Sequence, residues 1–234
     1  MPRAPVGGQL SLAIAPPESA SAVSGLPRLA AMTPTAGGAP FDDPGWFFEP
    51  WWPGTPALAY LDDGWLFLQV EHLADPNLCF PELAGIGEGF RDARLIVQGT
   101  LLVLDDEGRP DAELLRRRLA EPGSRDGAAA FVTSDLLQLG SRSLLELPFE
   151  DRRAKLSRQL TDGDSCVLSR GLRGDGLTLA DAVASMGLTE ISARRLDGRF
   201  RPGQASDAWL RLPVSAPPAA QTRPLLTLLQ RLPL

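Results

Sequence analysis

ARLIVQGTLLVLDDEGRPDAELLRRRLAE, residues 93–121, contains the three kinds of local structure from which the rest of the chain is built. Its first half is an aliphatic run that reads as one long strand or a strand pair. DDEGRPD supplies turn chemistry, and AELLRRRLAE (112–121) spaces its leucines at helical intervals. Upstream, ALAYL (57–61) and WLFLQV (65–70) flank Asp62-Asp63-Gly64, the pattern of a β-hairpin. Downstream, AAFVTSDLL (129–137) reads as a buried strand. Pro148 then opens the amphipathic helix FEDRRAKLSRQL, since proline suits a first helical turn. SCVLSR (165–170) is a strand, LTLADAVASMG (177–187) a helix closed by Gly187, and strands follow at 190–194 and 209–212. Antiparallel strands interleaved with helices predict an α+β fold without internal repeats.

The two ends differ from this middle. Residues 1–40 are rich in Pro, Gly, Ala and Ser without sustained periodicity and read as a mostly disordered leader. Within it, Leu26 to Met32 is a short candidate for attachment to the domain. Order is expected from Phe41, so the domain is drawn at 41–213. Residues 214–234 form a Pro/Ala linker and a short amphipathic helix, LLTLLQRL, suited to docking on the domain or on a partner.

Composition narrows the chemistry. The 234 residues carry a net charge of −6, so contact with nucleic acid requires a local arginine patch on an acidic protein. Lys155 is the lone lysine. Arginine is no substitute for it as a nucleophile, because the guanidinium stays protonated and delocalised. His72 is the one histidine and has no partner pattern for a catalytic triad. Cys79 and Cys166 follow no metal-ligand spacing and read as reduced, partly buried thiols. No apolar run approaches a membrane span and the first residues lack a secretory pattern, so a cytoplasmic location is expected.

Five segments in order resemble the ATP-dependent DNA ligase family, especially the ligase modules of bacterial end-joining enzymes, over residues 41–213. In GWFFEPWWPGTPALAY (45–60) the family places a glutamate, then the nucleophilic lysine, an aromatic, an aspartate, a glycine and an arginine. Glu49, Trp52 and Gly54 match. Trp51 stands at the lysine, Pro53 at the aspartate and Pro56 at the arginine. The resemblance implies that this lysine attacks the α-phosphate of ATP to give a lysyl-adenylate, which an indole cannot do. In LIVQGTLLVLDDEGRPD (95–111) the family's Asp-Gly-Glu is Gln98-Gly99-Thr100, and neutral side chains are poor ligands for a hard divalent cation. In VTSDLLQLGSRSLLELPFEDRRAKL (132–156) Ser134 replaces the aromatic expected to stack on adenine, while Asp135 remains. In GLTEISARRLDGRFRPG (187–203) Thr189 takes a glutamate position and Arg194 a lysine position. In AWLRLP (208–213) Arg211 and Pro213 stand where two lysines are expected, and Trp209 is kept.

Positions that shape the fold persist while positions that touch ATP, metal or the adenylyl group are replaced at nearly every motif. The resemblance therefore implies a ligase-type nucleotidyltransferase domain with no catalytic residue, no metal ligand and no cofactor expected. Trp51 is expected to fill the vacated nucleotide pocket. Glu49, at the adenine-reading position, is the weak remaining candidate for nucleotide binding. The expected role is accessory or scaffolding in DNA repair, with DNA or a repair protein such as an intact ligase as partner. The alternative is an active ATP-dependent ligase using an unorthodox nucleophile or a partner subunit, for which ATP and Mg²⁺ would be required. The family's OB-fold domain is not expected in these residues. Arg116, Arg117, Arg118, Arg199 and Arg201 are candidate DNA contacts, against the reading that they form solvated faces and salt bridges. Trp46, Phe47, Phe48, Trp51 and Trp52 read as core rather than as a base-stacking platform.

Overall fold

The computed structural model describes residues 25–215, 222–230 and 232–233. They form two β-sheets with helices around them, the α+β class that the sequence predicts. The six-stranded sheet runs β4–β3–β5–β6–β7, with β8 beside β6. Its strands are β3 (Thr55–Asp62), β4 (Trp65–Val70), β5 (Arg94–Leu104), β6 (Ala128–Leu139), β7 (Arg142–Ser143) and β8 (Cys166–Leu168). The five-stranded sheet runs β1–β11–β10–β2–β9. It is built from β1 (Thr33–Ala36), β2 (Trp46–Pro50), β9 (Leu172–Arg173), β10 (Glu190–Arg195) and β11 (Ala205–Pro213). Most pairings are antiparallel; β1 on β11 and β8 on β6 are parallel.

The predicted hairpin is present, with Asp63 and Gly64 both at positive φ in its turn (48° and 89°), where glycine is at ease and aspartate tolerated. The 93–105 run is a single long strand rather than a pair. Residues alternate across it: Leu95, Val97, Leu101 and Val103 enter one apolar core, while Gln98 and Thr100 lie on the other face. Between them, a side chain at Gly99 would bring its Cβ to 2.5 Å from the Val132 carbonyl oxygen, so the closest approach of β5 to β6 requires glycine.

The helices are α1 (Pro76–Cys79), α2 (Ala112–Ala120), α3 (Phe149–Gln159), α4 (Gly176–Ser185) and α5 (Leu225–Gln230), with a 3-10 segment at Pro81–Gly89. Asp111 caps α2 by accepting from the Glu113 and Leu114 amides at 2.8 and 2.9 Å. Along α3, Phe149, Arg152, Arg153 and Leu156 are buried. This is a helical stripe in which arginine occupies positions that normally take aliphatic side chains. The helical turns between 76 and 89 and the strand at 46–50 are additions to the elements predicted from sequence.

Both ends of the described chain pack against the domain. Residues 1–24 and the linker residues 216–221 lie outside those described. The described residues begin at Gly25, before Phe41. Leu26 and Met32 are buried with Tyr60, Ile96 and Leu137, the Leu29 amide donates to Tyr60 Oη at 3.0 Å, and Gln69 donates to the Leu29 carbonyl at 2.8 Å. β1 then adds an edge to the five-stranded sheet. Its TPTA sequence hides this because an edge strand with both faces largely exposed needs no apolar alternation; its backbone bonds to β11 hold it. At the other end α5 docks on the domain. Leu225, Leu228, Leu229 and Leu232 join a cluster with Leu102, Val132 and Leu179, and Leu225 N donates to the Gly108 carbonyl at 2.7 Å. Among the described residues no helix is long and apolar enough to cross a membrane.

Candidate functional site

Between the two sheets a cleft is lined by Glu49, Trp51, Pro56, Gln98, Thr100, Ser134 and Arg194, together with Ser169, Ser192 and Trp209. Seven of the positions singled out by motif therefore converge on one place, although they come from five strands and the loops beside them. Pro53 and Thr189 do not line it, and Arg211 approaches it from outside through Trp51. The cavity volume is about 20 Å³. That admits a water molecule, which needs about 10–15 Å³ on the same measure, and falls far short of an adenosine.

Two structures fill the space. The first is a stack of rings and guanidiniums. The Trp51 ring lies 6.2 Å from that of Trp209, Arg211 sits 4.7 Å over Trp51, and Arg194 sits 4.0 Å over Trp209. Each contact is a cation–π or aromatic pair of the usual geometry. The stack is braced at both ends. The Trp209 indole donates to Ser192 Oγ at 2.8 Å, and Arg211 pairs with Glu190. Trp52, which also lines the cleft, donates its indole proton to Ser169 Oγ at 3.0 Å.

The second is a buried ionic network. Asp135, fully buried, accepts two hydrogen bonds of 2.8 Å from Arg152, the fork-on-carboxylate geometry that makes arginine pairs strong. Arg194 Nη1 reaches the same carboxylate at 3.2 Å, and its Nη2 donates to Ser134 Oγ at 3.2 Å. Glu49 lies 3.4 Å from Arg194 Nε and 3.7 Å from Arg153 Nη1, while Arg153 donates to the Ser169 carbonyl and covers the Phe47 ring at 4.2 Å. All five charged groups are less than one-tenth exposed. Desolvation pushes the guanidiniums of Arg153 and Arg194 below the usual arginine range, with Glu49 pulling both back up.

Lys155, on α3, is not among the cleft residues. Among the described residues no group of three His, Cys, Asp or Glu side chains is placed to hold a metal ion. Of the arginines proposed for DNA contact, Arg118 is a correction: its side chain is buried, pairs with Glu82 and donates to the Asp126 and Gly127 carbonyls at 2.9 and 2.8 Å. It ties α2 to the 3-10 segment and to the 126–127 loop, and its buried guanidinium cannot reach a phosphate. Its position, one turn after Leu114 and Leu115 on the inner face of α2, was the available signal. Arg116 and Arg117 are exposed and paired with Glu113 and Asp126; Arg199 and Arg201 are exposed and share Glu146. Sequence reasoning missed Arg152, Arg153, Ser169 and Ser192 as cleft-associated residues. The buried stripe of α3 was the one visible hint.

The topology has counterparts among solved structures. The chain superposes on mycobacterial DNA ligase D complexed with ATP and MES with a TM-score of 0.69 at 28% identity, covering 79% of this chain and 60% of that one. The ligase domain of Mycobacterium tuberculosis LigD gives 0.68 at 28%, covering 78% of this chain and 58% of that one. In sequence, 166 residues are 30% identical to the multifunctional non-homologous end joining DNA repair protein LigD of M. tuberculosis. This chain is a homologue of the ligase domain of the ATP-dependent DNA ligases. DNA ligase C1 of Mycolicibacterium smegmatis is 32% identical over 173 residues. These matches span 71% and 68% of the present chain but 21% of LigD and 49% of DNA ligase C1, so the chain corresponds to about a fifth and a half of those relatives. No protein-family model matches it.

Proposed function

We propose that this ligase-fold domain forms no enzyme-adenylate and acts as an accessory or scaffold in DNA repair by end joining, engaging DNA or a repair protein such as an intact ligase. One observation carries the reading. Trp51, which the motif resemblance sets at the family's nucleophilic lysine, is packed between Arg211 and Trp209. An indole has no basic amine to attack phosphorus, and the ring occupies the place from which attack would start.

The rest of the cleft agrees. Glu49, the adenine-reading position, faces Arg153 and Arg194 as an ion partner. Gln98 and Thr100 offer neutral oxygens where a magnesium ion would need carboxylates, so the residues present do not fit ATP and its metal. Loss of a covalent nucleophile together with a metal site removes many powers of ten in rate, each worth about 1.4 kcal/mol of barrier.

Purified protein incubated with labelled ATP and Mg²⁺ or Mn²⁺ is expected to carry no covalent label; a protein-bound adenylate would overturn the proposal in favour of an active ligase with an unorthodox nucleophile. Trp51→Lys is expected to remain unlabelled as well, because Gln98 and Thr100 still face the cleft. For partners, a gel shift on nicked duplex across a salt series separates the two arms. A salt-sensitive shift assigns DNA contact to the exposed arginines 116, 117, 199 and 201, and no shift at low salt assigns the scaffold role to a protein partner.

A further inference from the structure

Leucine holds α5 in place. The helix is six residues long and stands between Pro224 and Pro233. A helix of that length does not persist alone in water, so its order comes from where it sits. Leu225, Leu228, Leu229 and Leu232 fall at i, i+3, i+4 and i+7, the spacing of one helical face, and all four are buried, whereas Leu226 on the outer side is 53% exposed. Among the described residues of 222–233 there is no ion pair, side-chain hydrogen bond or strand pairing to the domain. Beyond the leucines, the segment is tied by Leu225 N donating to the Gly108 carbonyl at 2.7 Å and by Gly171 N donating to the Pro233 carbonyl at 3.2 Å.

The seat is an apolar extension of the cleft. Along β5, the face that presents Gln98 and Thr100 to the cleft continues as Leu102 and Leu104, and these share one cluster with the four leucines. Val132 belongs to that cluster and also lines the cleft. The five-stranded sheet contributes Phe48, Ile191 and Leu212 from its side. Apolar burial carries no direction, so the seat accepts any helix with the same stripe. β11 ends at Pro213, and residues 214–223, VSAPPAAQTR, tether α5 to it. A tether of that length sets a local concentration on the order of millimolar, which a helix with further contacts outside the seat can overcome.

We propose that the seat of α5 is a docking groove for an amphipathic helix of another protein, with leucines at i, i+3, i+4 and i+7, and that α5 fills it as an intramolecular competitor. This locates the protein-partner arm of the accessory reading, on which its use in end joining rests. The test involves neither ATP nor DNA, so a protein-bound adenylate would end that reading and leave the groove standing. The probe is a fluorescein-labelled peptide of residues 222–234, and the protein is the full chain. In the double variant Leu228→Ser/Leu229→Ser, which loosens α5, the probe is expected to bind saturably and about tenfold or more tighter than in wild type, because the tethered competitor is gone. A probe with the same two leucines changed to serine is expected not to bind. A second route keeps every leucine and covers the case in which the double variant fails to fold: a protease site placed within 216–221 and then cleaved is expected to let the probe exchange with the detached segment. No saturable binding to the folded variant, equal binding to wild type and variant, equal binding of the serine probe, or no exchange in the cleaved protein would overturn the groove. So would unfolding of the cleaved protein when the segment is diluted away, which would make α5 an integral part of the core. A wild-type dimer in sedimentation that the double variant abolishes would give the seat to a second copy's α5 and overturn the partner helix.

Discussion

One face of β5 sends Leu95, Val97, Leu101 and Val103 into a core of aliphatic and aromatic side chains; the other sends Gln98 and Thr100 toward a cleft with five charged groups in and around it. The apolar side is held by area removed from water and by close packing, interactions without direction that tolerate exchange of similar shapes. The cleft side is held by directed pairs, each of which leaves a desolvated charge behind if broken. Consecutive residues of β6 carry the contrast in its sharpest form. Asp135 takes three contacts from two arginines, and Leu136, fully buried, packs on the opposite face.

The largest effect is expected at Asp135. Asp135→Asn keeps the shape but leaves Arg152 and Arg194 sharing no carboxylate there, with Glu49 the one remaining buried anion of the network. Removing one partner of a buried pair costs about 3–5 kcal/mol, read as a fall in the urea midpoint at unchanged slope. Leu136→Ala breaks the other face and costs about 2–5 kcal/mol from lost transfer energy and the cavity left. If the two faces are as different as described, a pre-filled apolar replacement, Leu136→Met, recovers most of the second loss, whereas no neutral replacement at 135 recovers the first. Equal recovery at both positions would refute the comparison.

Strands β3 to β6, the long helices and seven residues of the cleft lining were legible in the sequence because each rests on local information. Alternation marks β3 to β6, a proline opens α3, and the ordered motifs fix which residues meet. The contents of the cleft were not legible, since they depend on which side chains reach across from a different element. Arg152 and Arg153 read as the polar side of an amphipathic helix, yet they face inward because Asp135 and Glu49 are there to receive them. Arg118 was misread for the same reason: its partners Glu82 and the 126–127 carbonyls are remote or have no side-chain pattern. Edge strand β1 escaped because backbone pairing leaves no mark on composition.

The apolar core also makes a prediction with a definite sign. Cys166 lies in it, and burial pushes its thiol from 9.0 up to about 12, with Asp162 adding to the shift. The folded state thus keeps its proton where the unfolded chain gives it up. The thiol's contribution to stability is complete below pH 9 and is lost as pH rises from there toward 12, by up to about 1.4 kcal/mol per pH unit. Measured as the difference in unfolding free energy between wild type and Cys166→Ala, the advantage of the thiol is expected to be flat from pH 7 to 8.5 and to shrink by pH 10.5. A difference that stays flat to pH 10.5 would place Cys166 in contact with water.

The smallest effect is expected where intuition about buried charge suggests a large one. Arg194 is 5% exposed and touches Asp135, Glu49, Ser134 and Trp209, so its loss ought to resemble that of Asp135. The charge count says otherwise. Arg194→Met leaves Arg152 with Asp135 and Arg153 with Glu49, two pairs in balance, and replaces a desolvated cation by an apolar chain of similar length. Such replacements are often neutral or better; the cation–π contacts with Trp209 and Phe149 are lost, a term of about 0.5–2 kcal/mol that methionine partly restores by packing on the same rings. The net cost is expected below about 1 kcal/mol, against about 3–5 for Asp135→Asn. That asymmetry between two partners of one contact is a measurement of the surplus charge: a balanced network would penalise the loss of either partner alike, and equal losses at 135 and 194 would show that the third arginine is fully matched within the protein.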